Sequence, residues 1–362
     1  MRIFRYKNFG NGYRAIYMKN GAEAIFAVGK QSVKLPMPIY IRESAAIVGQ
    51  KEGEGPLGEL FDMVGDDELF GCTCWEEAES TMQKEAVTLA IGKAGLEKEN
   101  VRYLLAGDLL GQTIATTFGL GEFQIPLFGV FGACSTCGET LSLGAMLLGG
   151  GFAKNVTCVT SSHFASAEKE FRFPLEYGGQ RPPCATRTVT GSGAFVLSTE
   201  LNPKNKALIT GVTTGKIVDY GVKDSFNMGC SMAPAAADVI ATHFKDFKSK
   251  PADYDKIITG DLGKVGKQAL FELMDQRGYD ITSNYMDCGI EIFGDDQKGT
   301  LSGGSGCGCS ATVLAAYILK MLQERVWKRV LFVPTGALLN KTSFNEGQTV
   351  PGIAHAVLLE SC

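Results

Sequence analysis

LLAGDL (104–109) followed by FGACSTC (131–137), and IITGDL (257–262) followed by GGSGCGCSA (303–311), are the stretches that decide the fold of this chain. In each, an apolar strand ends in Gly-Asp-Leu, and a Gly/Cys-rich turn then opens a helical stretch. Each helix leads into a second strand, KNVTCVTSS (154–162) in the first copy and KRVLFVPTGA (328–337) in the second. A duplicated unit fixes the architecture before any residue is assigned a role. Strands alternating with helices imply parallel or mixed sheets covered on both faces. Two such halves would stack helices between their sheets in a layered α/β arrangement with pseudo-twofold symmetry. The polar stretch TELNPKNKA (199–207) places the division between a first half, 26–203, and a second, 204–362.

The chain has 362 residues, of which 45% are hydrophobic, enough for a sizeable core. A net charge of −4 without a basic tract leaves no nucleic-acid footprint. Eleven cysteines, several inside apolar strands or turns, fit a reducing compartment better than a disulfide scaffold. Residues 1–25 have positive charge but no apolar signal region, and they read as an irregular extension. No apolar run is long enough to span a bilayer.

The other elements follow from period and punctuation. PMPIYIRESAAIVG reads as a strand, and KEGEGPLGELFD (51–62) as a loop broken by its glycines and proline. TMQKEAVTLAIGKAGL has the helical period. CGETLSLGAMLLGGGFAK (137–154) is small and apolar nearly all round, as in a central helix. SSHFASAEKEFRFPLEYGGQRPPCATRT (161–188) reads as a long ordered loop. GSGAFVLS is a strand, ALITGVTTGKIVDYG adds another, NMGCSMAPAAADVIATHFKDF runs from a Gly-bearing turn into a helix with Pro234 near its start, and PGIAHAVLLE closes the chain as a strand.

Cys134 sits where a strand should end and a buried helix begin. The helix N-terminus would favour its thiolate, as for a nucleophile, but from position alone a small buried residue in a tight turn is the favoured reading. Cys134 and Cys137 form a C-x-x-C, but no second pair with a suitable histidine accompanies it, so a metal site is not expected. Among the three histidines, His163 follows the strand KNVTCVTSS and so lies at the sheet edge that also holds Cys134. His243 reads as a solvated position on a polar helix, and His355 lies in the last strand. Asp108 and Asp261 end their strands either as turn caps or as groups lining a cleft, and the cap is favoured for both. Arg172, Arg181 and Arg187 accompany Phe171, Phe173 and Tyr177 in the long loop, where a guanidinium could meet a carboxylate.

The duplicated halves, KEGEGPLGELFD, LLAGDLL, FGACST, TVTGSGAFVLS, NMGCSMAPAAAD, DCGIEIF and GGSGCGCSA occur in an order that resembles the stage V sporulation protein AD family, within the thiolase and ketoacyl-synthase superfamily. The resemblance runs from about residue 40 to the C-terminus. It implies a thiolase-like fold in five αβαβα layers, with Cys134 in the place of the superfamily's nucleophile. It also implies a non-catalytic protein that binds dipicolinic acid, free or as its calcium chelate. Such a protein supports uptake into the developing spore with membrane-embedded stage V sporulation partners. The implied setting is the forespore cytoplasm, peripheral to the spore inner membrane, and the implied state a homodimer without a cofactor.

The chain departs from the superfamily's enzymes at their catalytic partners. A ketoacyl synthase has a histidine where this chain has Gly260-Asp261-Leu262, and an asparagine near where it has Ser305. A thiolase has a Gly-His-Pro turn in its second half, which is missing here. No base and no second oxyanion donor are evident. The expected ligand-binding residues are therefore Cys134, His163 and Ser305, with Met228 as a wall and Arg172 as an anion partner. The alternative is an acyltransferase in which Cys134 is the nucleophile and His163 its base.

Overall fold

A computed structural model describes residues 26–172 and 181–362. The N-terminal extension, Phe173 and Tyr177 lie outside the described residues. Ten strands form one hydrogen-bonded path. They are β1 (Ser32–Val48), β2 (Tyr103–Gly107), β3 (Leu127–Gly129), β4 (Asn155–Ser162), β5 (Gly191–Ser198), β6 (Ala207–Thr213), β7 (Lys256–Thr259), β8 (Tyr285–Asp287), β9 (Arg329–Val333) and β10 (Ala356–Glu360). Their spatial order is β8-β7-β9-β10-β6-β1-β5-β4-β2-β3. The path is the same five-strand pattern run twice: β3-β2-β4-β5-β1 and β8-β7-β9-β10-β6. The two Gly-Asp-Leu strands, β2 and β7, hold equivalent places. The copies meet where β1 pairs antiparallel with β6, Val33 opposite Val212 and Ile39 opposite Ile209. The far end of the long β1 pairs with β5, Ala45 opposite Ala194. The division near residue 203 thus falls in the β5–β6 loop, yet one sheet path runs through both halves.

Strand alternation builds the layers. In the second half, Ile258, Val330, Phe332, Val357 and Leu359 face a central core, while Ile257, Leu331, Val333, Ala356 and Leu358 face an outer one. In the first half Phe195, Leu197, Val156 and Leu105 face the same central core, and Ala194, Val196, Val159 and Leu104 face outward. The centre is filled by α3 (Thr136–Gly149) and α7 (Cys307–Val313), whose Cys137, Leu141, Ala145 and Ala311 belong to that core. Outside lie α1 (Trp75–Lys93) and α2 (Ile114–Leu120) on the first half, and α5 (Met228–Phe247) and α6 (Gly263–Asp275) on the second. This is the expected αβαβα stack. Gly308 lets α7 approach β5: a Cβ there would stand 2.4 Å from the Gly191 carbonyl oxygen.

Four local expectations are corrected. Residues 161–188 do not form one long loop, because Phe164–Phe171 is a helix, α4, whose N-cap is His163. The 51–62 stretch contains a helical turn, Gln50–Gly53, held as Glu52 turns inward and accepts the Thr190 amide at 3.1 Å. The last strand is two: Gly352–Ala354 pairs with Thr335–Ala337, and the backbone changes partner at His355 before β10. His243 is not solvated. It is wholly buried between Thr213 Oγ1 (2.8 Å) and Tyr254 OH (2.9 Å), and burial pushes its pKa down to about 3, so the ring is neutral. The polar neighbours Lys245 and Asp246 disguised a helix face that packs on β6.

A buried polar knot under the first half carries a pH-dependent stability. Glu79, on α1, accepts from Ser161 Oγ (3.0 Å) and Ser166 Oγ (2.8 Å). Burial, and then the nearby Asp108 charge, push its pKa up to about 8. The folded state therefore keeps a proton that the unfolded chain releases near the usual carboxylate value, and stability falls as pH rises between the two. Glu79→Gln removes this dependence. The variant should gain on the wild type as pH rises from about 4.5 to about 8, by on the order of a few kcal/mol, as urea melts at pH 5 and pH 8.5 would measure.

Candidate functional site

The turn Gly132-Ala133-Cys134 places the thiol at the N-terminal end of α3. Ala133 adopts a left-handed φ of 52°, a strained state for a residue with a Cβ. Two hydroxyls hold it there: Ser135 Oγ donates to the Gly132 carbonyl (2.6 Å), and Thr136 Oγ1 donates to the Ala133 carbonyl (2.6 Å) while accepting the Gly132 amide (3.0 Å). Cys134 forms the floor of a cavity of about 180 Å³. Ser305 and Gly306 enter from the turn before α7, where Gly304–Ser305 pairs with Arg187–Thr188. Met228 enters from the start of α5, whose N-cap Asn227 accepts the Cys230 amide. Phe171 and Arg172 come from the end of α4, and Leu109, Phe131 and residues 337–340 complete the lining.

Arg172 is the cation of this cavity. Its Nη1 lies 2.5 Å from Glu168 Oε1, the same oxygen that Arg181 meets, so two guanidinium groups share one carboxylate oxygen. Only 7% of the Arg172 side chain is exposed, its guanidinium lies over Phe226, and its Nε has no hydrogen-bond partner. A buried donor without a partner costs about 1–3 kcal/mol.

Four of the five residues expected from sequence, Cys134, Arg172, Met228 and Ser305, meet on this one cavity. His163 does not join them. Its Nδ1 accepts the Ala165 amide, and its Nε2 lies 2.7 Å from the Glu68 carbonyl, so both ring nitrogens are spent holding α4 and the 65–70 segment. Burial lowers its pKa. It cannot serve Cys134 as a base.

Of the two readings of Cys134, the structure favours the buried, unionised thiol. Burial, followed by the charge and contact of Asp261, pushes the Cys134 thiol well up, and the Gly306 and Ala337 amides beside the sulfur offset only part of this. The partial charge of a helix end is smaller than the cost of ionising sulfur in a buried site next to a carboxyl group.

The two Gly-Asp-Leu aspartates separate. Asp108 is a cap, as favoured from sequence, accepting from the Leu110 amide, the Thr116 amide and Thr116 Oγ1. Asp261 faces the centre instead. Thr335 Oγ1 donates to its Oδ1 (2.7 Å), the Gly306 amide donates to its Oδ2 (2.9 Å), and Cys134 lies against it. Leu109, Phe131, Phe171 and the 337–340 wall were not foreseen either. Phe131, next to the Gly-Ala-Cys turn, was the one with a local signal. Among the described residues no group of three or more His, Cys, Asp or Glu side chains could hold a metal ion.

With this geometry in view, four likenesses are informative. The family model described as Stage V sporulation protein AD (SpoVAD) matches residues 29–360. The Stage V sporulation protein AD of Bacillus subtilis (strain 168) is 44% identical over 332 residues, 92% of this chain and 97% of that protein. Among solved structures, human mitochondrial 3-ketoacyl-CoA thiolase in complex with CoA aligns over 91% of this chain and 99% of its own, with a TM-score of 0.56 at 13% identity. The 3-oxoacyl-[acyl-carrier-protein] synthase III of Aquifex aeolicus VF5 aligns over 89% and 99%, with a TM-score of 0.55 at 13% identity. At such identity the two enzymes establish the thiolase-like fold alone.

Proposed function

Because this chain belongs to the stage V sporulation protein AD family, we propose that its cavity binds dipicolinic acid, as the free diacid or its calcium chelate. In this reading the protein works in the forespore and passes its ligand to membrane-embedded stage V sporulation proteins at the spore inner membrane. No helix of the described residues is long and apolar enough to cross a membrane, so it would meet that membrane through partners.

The observation that carries the reading is the largely buried Arg172 lining a small cavity walled by Leu109, Phe131, Phe171 and Met228. A guanidinium takes a carboxylate with two directed bonds. Apolar walls suit a flat ring, and a volume below the roughly 300–1,000 Å³ of drug-sized sites selects a one-ring ligand. Titration calorimetry with dipicolinate, with and without calcium, tests this. Saturable one-site binding is expected, with benzoate weaker; no heat with either form would overturn it.

Acyl transfer through Cys134 is the competing reading, and the Gly306 and Ala337 amides beside the sulfur are its support. A stable acyl adduct on Cys134 after incubation with acetyl-CoA, seen by intact mass, would establish it over binding alone.

We further propose a homodimer through the β3 end of the sheet. β3 is an edge strand whose Leu127 and Phe128 are exposed, and Ile114 and Phe118 of α2 are exposed as well. Exposed edges with apolar neighbours call for a cover. Light scattering should give twice the chain mass for the wild type and a monomer for Phe118→Glu combined with Leu127→Lys.

A further inference from the structure

We propose that Asp261 is a lock on the Cys134 thiol: a fixed, buried carboxylate that holds the thiol proton and keeps the sulfur from acting as an acyl-accepting nucleophile. The case rests on a comparison of the two copies of the fold. In the first copy the aspartate of Gly-Asp-Leu caps its own following turn, Asp108 taking the Leu110 amide at 2.8 Å. In the second copy a different residue does that work: Asp287, at the end of β8, accepts the Leu262 amide (2.9 Å) and the Gly263 amide (3.1 Å). Asp261 is thereby released from capping. It is wholly buried, with one oxygen clamped by Thr335 and the other by the Gly306 amide, and it lies against Cys134.

Burial pushes the Asp261 carboxyl up to about 7, so above that pH it stands as a carboxylate and disfavours a second negative charge beside it. The groups that bear on the pair come from several elements. Arg172, from the end of α4, is a cation coupled to Cys134, and Glu168 already engages it. Cys307 and Cys309 of α7 are neutral thiols at ordinary pH, pushed well up by burial, and Asp287 adds negative charge beside Asp261. None of the three histidines contacts the sulfur by any bond seen here: His163 binds Glu68 and Ala165, His243 binds Thr213 and Tyr254, and His355 Nδ1 lies 3.4 Å from the Gly215 amide. The thiol therefore has an acceptor that retains its proton and no base that would carry the proton away. The inference does not depend on which ligand fills the cavity.

The test is iodoacetamide labelling of the full-length protein from pH 6 to pH 10, with Cys134 followed by peptide mass spectrometry against the exposed Cys74 and Cys362. In the wild type Cys134 should remain far slower than Cys74 up to pH 9. In Asp261→Asn its rate at pH 8 should rise by at least about tenfold, the effect of lowering a thiol pKa by one unit. Wild-type Cys134 labelling with an ordinary thiol midpoint near 8.5, or an unchanged profile in Asp261→Asn, would overturn the lock. Should the variant fail to fold, the S–H stretch of Cys134 gives the same answer as the infrared difference between wild type and Cys134→Ala. A band lowered in frequency, as for an S–H donating to a carboxylate, upholds the proposal, and a band at the free-thiol frequency, or one lost below pH 9, refutes it.

Discussion

Cys134→Trp is expected to abolish dipicolinate binding, while Cys134→Ala keeps the affinity within about threefold, well under one tenfold step of 1.4 kcal/mol. The two substitutions separate occupancy from chemistry. Cys134 is the floor of a cavity of only about 180 Å³, so an indole rising from that position would occupy the space a ligand ring needs. Alanine removes the sulfur but leaves the apolar walls, Arg172 and the backbone in place. Asp261 keeps its bonds from Thr335 and Gly306 in either variant. Calorimetry on both proteins decides the matter: strong binding retained by the tryptophan variant would place the ligand elsewhere, and loss in the alanine variant would make the sulfur itself a binding group.

Arg172→Met should weaken dipicolinate by at least about 30-fold, because truncating one partner of a buried charged pair costs roughly 2–5 kcal/mol. Methionine keeps the apolar stem and deletes the guanidinium, so the wall of the cavity changes little. The fold should tolerate it, since Arg181 continues to meet Glu168 and no buried carboxylate is left alone. A thermal melt within a few degrees of wild type, together with the lost affinity, would assign the effect to the site. An unchanged dissociation constant would remove Arg172 from the ligand and with it the observation on which the binding reading stands.

The fold was legible because duplication and period are local signals that add along a chain. Two Gly-Asp-Leu strands, two Gly/Cys turns and two following helices gave the repeated halves, and the near-uniform small apolar face of 137–150 placed α3 at the centre. The site was legible in part. Cys134, Ser305 and Met228 follow turns or begin helices, so they fall at one end of the sheets where loops converge. Arg172 was found through its chemistry, although residues 164–171 were mistaken for loop because a one-residue cap, His163, starts α4 without any of the usual Ser, Thr, Asp or Asn signals. His163 and His243 were misjudged for a common reason: a histidine's partners, such as the Glu68 carbonyl and Tyr254 OH, are set by elements its own neighbours do not reveal.

From sequence alone came a duplicated α/β scaffold of the thiolase kind, its family, and the turn that carries Cys134. Only the tertiary structure decided what surrounds that thiol. Asp108 and Asp261 stand in the same tripeptide at the same strand end, and nothing within either copy tells them apart. They differ because Asp287 caps the second turn and because Thr335 and Gly306, 74 and 45 residues away along the chain, fix the carboxylate that faces Cys134. Periodicity reports which face of an element is buried, but the protonation of a buried group depends on the charges and donors brought against it from elsewhere.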